Sequence, residues 1–366
     1  MSWPASSDLL APLAPWFDSV RRDLPWRAGD LDVPHPDPYA VLVSELMLQQ
    51  TQVATVIPYF TRWMERFPSP ETLVEADEDS VHKAWEGLGY YRRARFLKAA
   101  AGRIAAEGWP SDLEGLADLP GLGPYTAAAV GSIAFQWPAP ALDGNAFRVL
   151  ARLLVIEGDP KVQAANLRTW LAPALEILGP ARMTQALMEL GATTCSPTPD
   201  CGACPLADRC LACLSNRTAE IPPVAKRAKP KVSSLWLVAM EAEGHVLLHA
   251  PAAKGLLAGL WRWPALSADP IPAQPVAPNA QSLTAWPGWT QVYTHRREVV
   301  SPLHLRLEAR FEAAVGLHWV PWTELPALPL GRRDQRLRDL LAVPGQTPIE
   351  APDPTALIRV CAVPLA

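Results

Sequence analysis

The 366-residue chain reads as two domains, an all-α domain followed by an α+β domain. Three observations predict this. Apolar residues recur at helical spacing, with short Gly/Pro connections, to about residue 213. The stretch LSNRTAEIPPVAKRAKPK over 214–231 is rich in proline and base and reads as an extended linker. Beyond it the hydrophobic period shifts toward two, as strands require. The expected boundaries are 1–213, with a cysteine-bearing loop at 195–213, then linker 214–231, a second domain 232–345 and a tail 346–366.

The elements follow in order. Asp37-Pro38 starts a helix, with Pro at the first helical position. YAVLVSELMLQQTQVATVI then reads as one apolar, buried helix that Pro58 kinks or ends. DEDSVHKAWEG, YRRARFLKAAAGRIAAEG, TAAAVGSIAF, AFRVLARLLVI and MTQALMELGATT supply further helices. In the second domain, SLWLVAMEAEGHVLLHA reads as two strands around a Glu243-Gly244 turn, and LHLRLEARFEA as a half-buried strand. RRDQRLRDLLA reads as a short amphipathic helix, and the Pro-rich 264–278 as a loop.

Composition narrows the function classes. No apolar run reaches the ~18 residues of a spanning helix, so no membrane partner is expected. The start, MSWPASSDLLAPLAPWF, has no basic region ahead of an apolar core, so no signal peptide is expected. Both point to a cytoplasmic, reducing setting, where clustered cysteines bind metal more often than they pair. Net charge is −4, split as −8 over 1–225 and +4 over 226–366. Acid gathers at Glu71, Glu75, Asp77, Glu78 and Asp79, and base at Arg92, Arg93, Arg95 and Lys98. Segregated charge lets one face meet phosphate while another repels it. An ordinary solvated helix face accounts for either run taken alone.

Four constellations carry chemistry. Cys195, Cys201, Cys204 and Cys210 read C-x5-C-x2-C-x5-C, the donor set of an iron–sulfur cluster. Cys213 offers a second set, Cys201, Cys204, Cys210 and Cys213, which suits zinc. Leu119-Pro120-Gly121-Leu122-Gly123 is a glycine turn ahead of a helix, where backbone N–H groups gather to hold phosphate. Glu45 sits among Val43, Leu46 and Leu48. A carboxyl buried there keeps its proton near neutrality and can act as an acid; on an exposed stripe it would do nothing. Gln49, Gln50 and Gln52 make the end of this helix polar. Asp143, in ALDGNAFRVLAR, either caps the next helix or serves as a carboxylate held at that helix's positive end. A proton donor plus a fixed negative charge is what cleavage of a glycosidic bond needs.

These segments together resemble a known family. SELMLQQTQV, GLGYYRRAR, LPGLGPYT, LDGNAFRVLAR and the cysteine cluster, over about residues 20–213, are similar to the adenine DNA glycosylases of the MutY family, in the helix-hairpin-helix superfamily that includes endonuclease III. The resemblance implies that Glu45 protonates adenine at N7, that Asp143 stabilises the oxocarbenium ion, and that Asn145 stands beside it. It implies that Gln49 or Gln50 wedges the duplex, that Tyr90 intercalates, and that Glu189 lines the adenine pocket. Leu119, Gly121 and Gly123 form the hairpin turn on DNA. Endonuclease III carries its Schiff-base lysine where this chain has Tyr125, so β-lyase chemistry is expected to be weak or absent. The family's cluster has six residues in the first gap; here there are five.

GLLAGLWRWP, VYTHRR and WVPWTELPALPL are similar to the Nudix-like C-terminal domain of the same family, which senses 8-oxoguanine opposite the adenine. Thr294 and His295 fall on its lesion-inspecting loop. The 264–292 stretch holds one acidic residue, Asp269, too few for a metal-dependent hydrolase helix. The expected protein is a monomer with one 4Fe-4S cluster, near the nucleoid, acting on duplex DNA with A:8-oxoguanine or A:G mispairs. The linker 214–231 is a candidate dock for a repair or replication partner. A related glycosylase with another mismatch preference, such as thymine in G·T, and a non-catalytic lesion binder are the alternatives.

Overall fold

Asp37 opens the central helix of the helical part. In the computed structural model its carboxylate accepts from Ala40 N at 3.0 Å, and Pro38 takes the first helical position of Pro38–Leu48. Nine of these eleven residues, Tyr39 to Met47, are buried, so the helix runs through the middle of its unit. The structure describes residues 3–223, 230–253, 255, 257–267, 280–293 and 296–342. The expected single helix through TQVATVI is in fact two. Gln50 takes a left-handed φ of 56°, which ends the first, and Val53–Arg66 begins after it. Pro58 lies inside this second helix and does not end it.

The chain divides into two compact units, one of Met1–Ala76 with Arg95–Lys226, the other of Asp77–Ala94 with Arg227–Ala366. Segment 77–94, which the sequence reading ran on with the helical domain, groups with the second unit.

The first unit is helical. Leu10, Leu13 and Phe17 from its first two helices pack with Leu150, Leu171 and Leu187 in one core. Ala164–Leu178, which encloses Pro173, is a helix the sequence pattern does not mark. The hairpin joins Leu113–Asp118 to Pro124–Phe135. Gly121 turns it at φ 82°, and a Cβ there would stand 2.4 Å from Phe96 Cβ. At Gly123 a Cβ would meet nothing within 4 Å, so the backbone there is open to a ligand. Asp112 and Asp143 cap the helices that follow them, whereas Gly123 leaves the start of Pro124–Phe135 without a side-chain cap.

The second unit is built on a mixed sheet. Its strands are β1 Lys231–Ala242, β2 His245–His249, β3 Ala265–Ser267, β4 Ala280–Ala285, β5 Trp289–Val292, β6 Arg296–Leu307 and β7 Leu317–Pro321. The order is β4-β6-β1-β2-β7, with β3 on β1 and β5 on β6. β1 and β6 run parallel at its centre. Glu243 and Gly244, at φ 50° and 73°, make the tight β1–β2 turn. β3 lies within the stretch expected to be a loop. Leu235, Leu237 and Val300 pack with Leu337 of the Arg332–Ala342 helix on one face, and Val238, Met240 and Leu303 form a core on the other. Among the described residues no helix is long and apolar enough to cross a membrane.

Candidate active site

A cavity of about 350 Å³ opens in the first unit, and four helices, with segment 22–27, supply most of its lining. Pro38–Leu48 contributes Glu45, and Gln49 follows it. Pro124–Phe135 contributes Tyr125. Gly144–Leu154 brings Asp143 at its N-cap and Asn145 in its first turn. Pro180–Thr193 brings Gln185 and Glu189.

Glu45 is 6% exposed. Burial pushes its carboxyl up to about 7, with the Asp143 charge adding to the rise, while the Tyr125 hydroxyl and Arg27 oppose it. The Tyr125 hydroxyl donates to Glu45 Oε2 at 3.0 Å. Burial, together with the two carboxylates, holds the Tyr125 phenol well above its ordinary value, so it stays a donor.

Asp143 is held differently. Its Oδ1 accepts from Ala146 N at 2.6 Å and its Oδ2 from Asn145 Nδ2 at 2.9 Å. Burial raises this carboxyl above its ordinary value, against the pull of Ala146, Asn145 and Arg148. The helix N-terminus thus offsets burial without reversing it. Two backbone and side-chain donors stabilise its anion, whereas Glu45 has a single phenol, so of the two groups Glu45 is the one that keeps its proton.

Glu189 is 1% exposed and ionised. Burial alone would raise its pKa, but Arg22 and Arg27 bring it below the ordinary value. Arg22 Nε and Nη2 donate to Oε1 and Oε2 at 2.5 and 2.9 Å, and Arg27 Nη2 to Oε2 at 2.8 Å. Sequence reasoning missed both arginines, because they stand 167 and 162 positions from Glu189. It also missed Gln185, 6% exposed on the cavity wall, one helical turn before Glu189. The i, i+4 spacing in QALME was the signal for it.

Of the residues assigned to DNA, Gln49 donates to Thr126 Oγ1 at 3.1 Å, and Gln50 is exposed at the cavity rim. Leu119 is 3% exposed, so it serves the hairpin as a core anchor. Tyr90 belongs to the second unit, 46% exposed at φ 47°. Thr294 and His295 lie outside the described residues. The basic run 92–98 is not one solvated face. Arg93 is buried against the carbonyls of Leu88 and Gly89, and Lys98 donates to Ala76 O.

The cysteine loop follows the Pro180–Thr193 helix directly. Cys195 is buried, and Cys204 and Cys210 pack against the same core. Among the described residues no group of three His, Cys, Asp or Glu side chains is arranged to hold an ion. The five thiols are nonetheless free and electrostatic neighbours. Burial pushes the Cys201 and Cys204 thiols up to about 11, with neighbouring cysteines adding to both shifts. Crowded sulfurs whose charged form is disfavoured suit a cationic centre that would take them as thiolates. Arg152 secures the loop from the Gly144–Leu154 helix, donating to Cys195 Sγ at 3.4 Å and to Ser196 O at 2.6 Å. Arg148, one turn nearer the cavity, donates to Asn145 Oδ1, Gly191 O and Cys195 O at 2.8, 2.6 and 2.8 Å.

Residues 43–173 match the family described as HhH-GPD superfamily base excision DNA repair protein. The adenine DNA glycosylase of Mus musculus is 33% identical over 85% of this chain and 73% of its own. That of Homo sapiens is 34% identical over 88% of this chain and 69% of its own. Among solved structures, a thermostable thymine-DNA glycosylase is similar at a TM-score of 0.50 and 25% identity, covering 57% of this chain and 96% of that one. With relatives this similar across both units, and a protonatable and an anion-stabilised carboxyl in one cavity, the chain belongs to the adenine DNA glycosylase family and is a base excision repair DNA glycosylase.

Proposed function

We propose that this enzyme removes adenine mispaired with 8-oxoguanine, and more weakly with guanine, and leaves an abasic site. The observation that carries the reading is the pair of carboxyls in the cavity: Glu45, lifted to about 7, and Asp143, held by Ala146 N and Asn145. The adenine leaves the stack to enter the cavity. Glu45 then gives its proton to N7, the Tyr125 hydroxyl keeping the carboxyl aimed. The C–N bond breaks as positive charge develops on the sugar, and Asp143 supplies the opposing charge. Water completes the sugar and adenine departs. Glu189, fixed by Arg22 and Arg27, presents acceptors suited to an exocyclic amine. Tyr125 has no amine, so no Schiff base forms and the strand stays intact.

The rest of the chain serves the duplex. The uncapped start of Pro124–Phe135 and the open face at Gly123 suit a phosphate. Gln49 or Gln50 wedges the duplex, and Tyr90, on the second unit, intercalates. Cys195, Cys201, Cys204 and Cys210 would hold a 4Fe-4S cluster, which would cross-link the loop. The second unit reads the opposite base, through a Nudix-like fold without hydrolysis. Single-turnover base release from duplexes carrying A:8-oxoguanine, A:G and T:G tests the specificity. The expected order is A:8-oxoguanine, then A:G, with no thymine release and no nicking until alkali is added. Preferential thymine release would replace this reading with a thymine glycosylase.

A further inference from the structure

The loop that carries Tyr90 is strained and tightly held. Gly87, Gly89 and Tyr90 all take positive φ, at 101°, 72° and 47°. Glycine enters that region freely, whereas tyrosine does so at a cost. The strained residue is itself 46% exposed.

Two side chains fix the peptide that precedes the ring. The Gly89 carbonyl accepts from Trp85 Nε1 and from Arg93 Nη2, each at 3.1 Å. The same Nη2 reaches Leu88 O at 3.1 Å. Because the peptide is planar, locking the Gly89 carbonyl locks the nitrogen of Tyr90, one end of its φ bond. The Arg93 guanidinium also lies 5.5 Å from the Tyr90 ring centroid and 5.4 Å from that of Trp85. On the other flank, Tyr91 Oη accepts from Gly87 N at 3.1 Å and donates to Leu330 O at 3.4 Å. Glu86 Oε1 accepts from Leu330 N at 3.0 Å. Arg93 itself is 6% exposed, so it meets the ring and its backbone, not solvent.

We propose that Arg93 is a positioning residue that holds the Tyr90 ring outward for insertion into a duplex. The inference rests on the reading of Tyr90 as the intercalating residue. A purely structural arginine would stabilise the fold without acting through Tyr90, and the two roles separate in a double-mutant cycle.

The experiment uses the full chain and a mispaired duplex with 2-aminopurine beside the mispair, whose fluorescence rises when its neighbour unstacks. Tyr90→Ala, Arg93→Ala, Arg93→Lys and the double Tyr90→Ala/Arg93→Ala are compared with the parent, with thermal unfolding as the control for folding. Tyr90→Ala is expected to abolish the rise. Arg93→Ala is expected to match it and to slow single-turnover base release about tenfold, as loss of one backbone constraint would. The double variant is expected to be no worse than Tyr90→Ala, with Arg93→Lys recovering part of the signal. A full rise with Arg93→Ala, or losses that multiply in the double variant, would overturn the role of Arg93. A full rise with Tyr90→Ala would overturn the reading of Tyr90 itself, and the Arg93 role with it. If Arg93→Ala does not fold, Arg93→Met and Arg93→Lys decide by the same two readouts.

Discussion

Asp143 does two things at one position. It caps the Gly144–Leu154 helix by accepting from Ala146 N, and it places a carboxylate on the cavity wall. Asparagine caps a helix about as well as aspartate. Asp143→Asn should therefore unfold within about 0.5 kcal/mol of the parent, while single-turnover base release falls at least about a hundredfold. Urea unfolding beside release kinetics checks both halves; equal losses in stability and rate would mean that Asp143 is only a cap. Both readings of this residue were open in the sequence, because a cap and a catalytic carboxylate need the same local pattern. Burial of Glu45 was left open by the sequence, where its apolar neighbours fit a buried carboxyl and an exposed stripe alike; the structure buries it. The Tyr125–Glu45 hydrogen bond was not legible, since 80 positions separate the two and only the packing of two helices brings them together. Glu189 was legible only as a family position; its ionised state depends on Arg22 and Arg27, which no local pattern connects to it.

At the scale of elements, small residues set the spacing on which the cavity depends. A Cβ at Gly191 would lie 2.5 Å from Asn145 Cβ and 3.1 Å from its Cα, so the Pro180–Thr193 and Gly144–Leu154 helices touch there backbone to side chain. Gly191→Ala must push them apart. It should cost about 1–3 kcal/mol and slow base release through Asn145, which Arg148 also ties to Gly191 O. Unchanged stability and rate would show that the contact relaxes freely. The longer helices that begin at Pro38, Arg92, Pro124, Gly144 and Pro180 were legible from periodicity, whereas the short Ser6–Leu10, Leu13–Val20 and Pro70–Glu75 were not. The break at Gln50 was not legible either, because a glutamine carries no turn signal and its left-handed φ is imposed by its surroundings. Ala164–Leu178 was hidden by Pro173, which marks a boundary in a sequence yet is tolerated inside this helix. In the second unit the Glu243-Gly244 turn was plain, but the parallel pairing of β1 with β6 joins segments about 65 residues apart and leaves no local trace.

Across the whole molecule, the two-part organisation was visible in the change of period. What the sequence could not show is that residues 77–94, lying in the middle of the helical part, group with the C-terminal one. Contacts such as Tyr91 to Leu330 span more than 200 positions. The cysteine loop bears on the first unit as a body, since Arg148 and Arg152 link it to the helix that begins at Asp143. The purified protein should be brown and hold about four iron atoms per chain, and Cys204→Ser should lose both iron and colour. Metal analysis checks this; a colourless, zinc-loaded and active protein would contradict the iron–sulfur assignment. The central claim is that Glu45 is the acid. Its carboxyl, raised to about 7, is protonated below that pH and ionised above it. The most direct measurement is single-turnover adenine release from an A:8-oxoguanine duplex across pH 5–9, parent against Glu45→Gln. The parent's rate should hold level below about pH 7 and fall about tenfold per unit above it, with Glu45→Gln slower by at least about a hundredfold and level throughout. Release by Glu45→Gln within a few-fold of the parent would contradict the account.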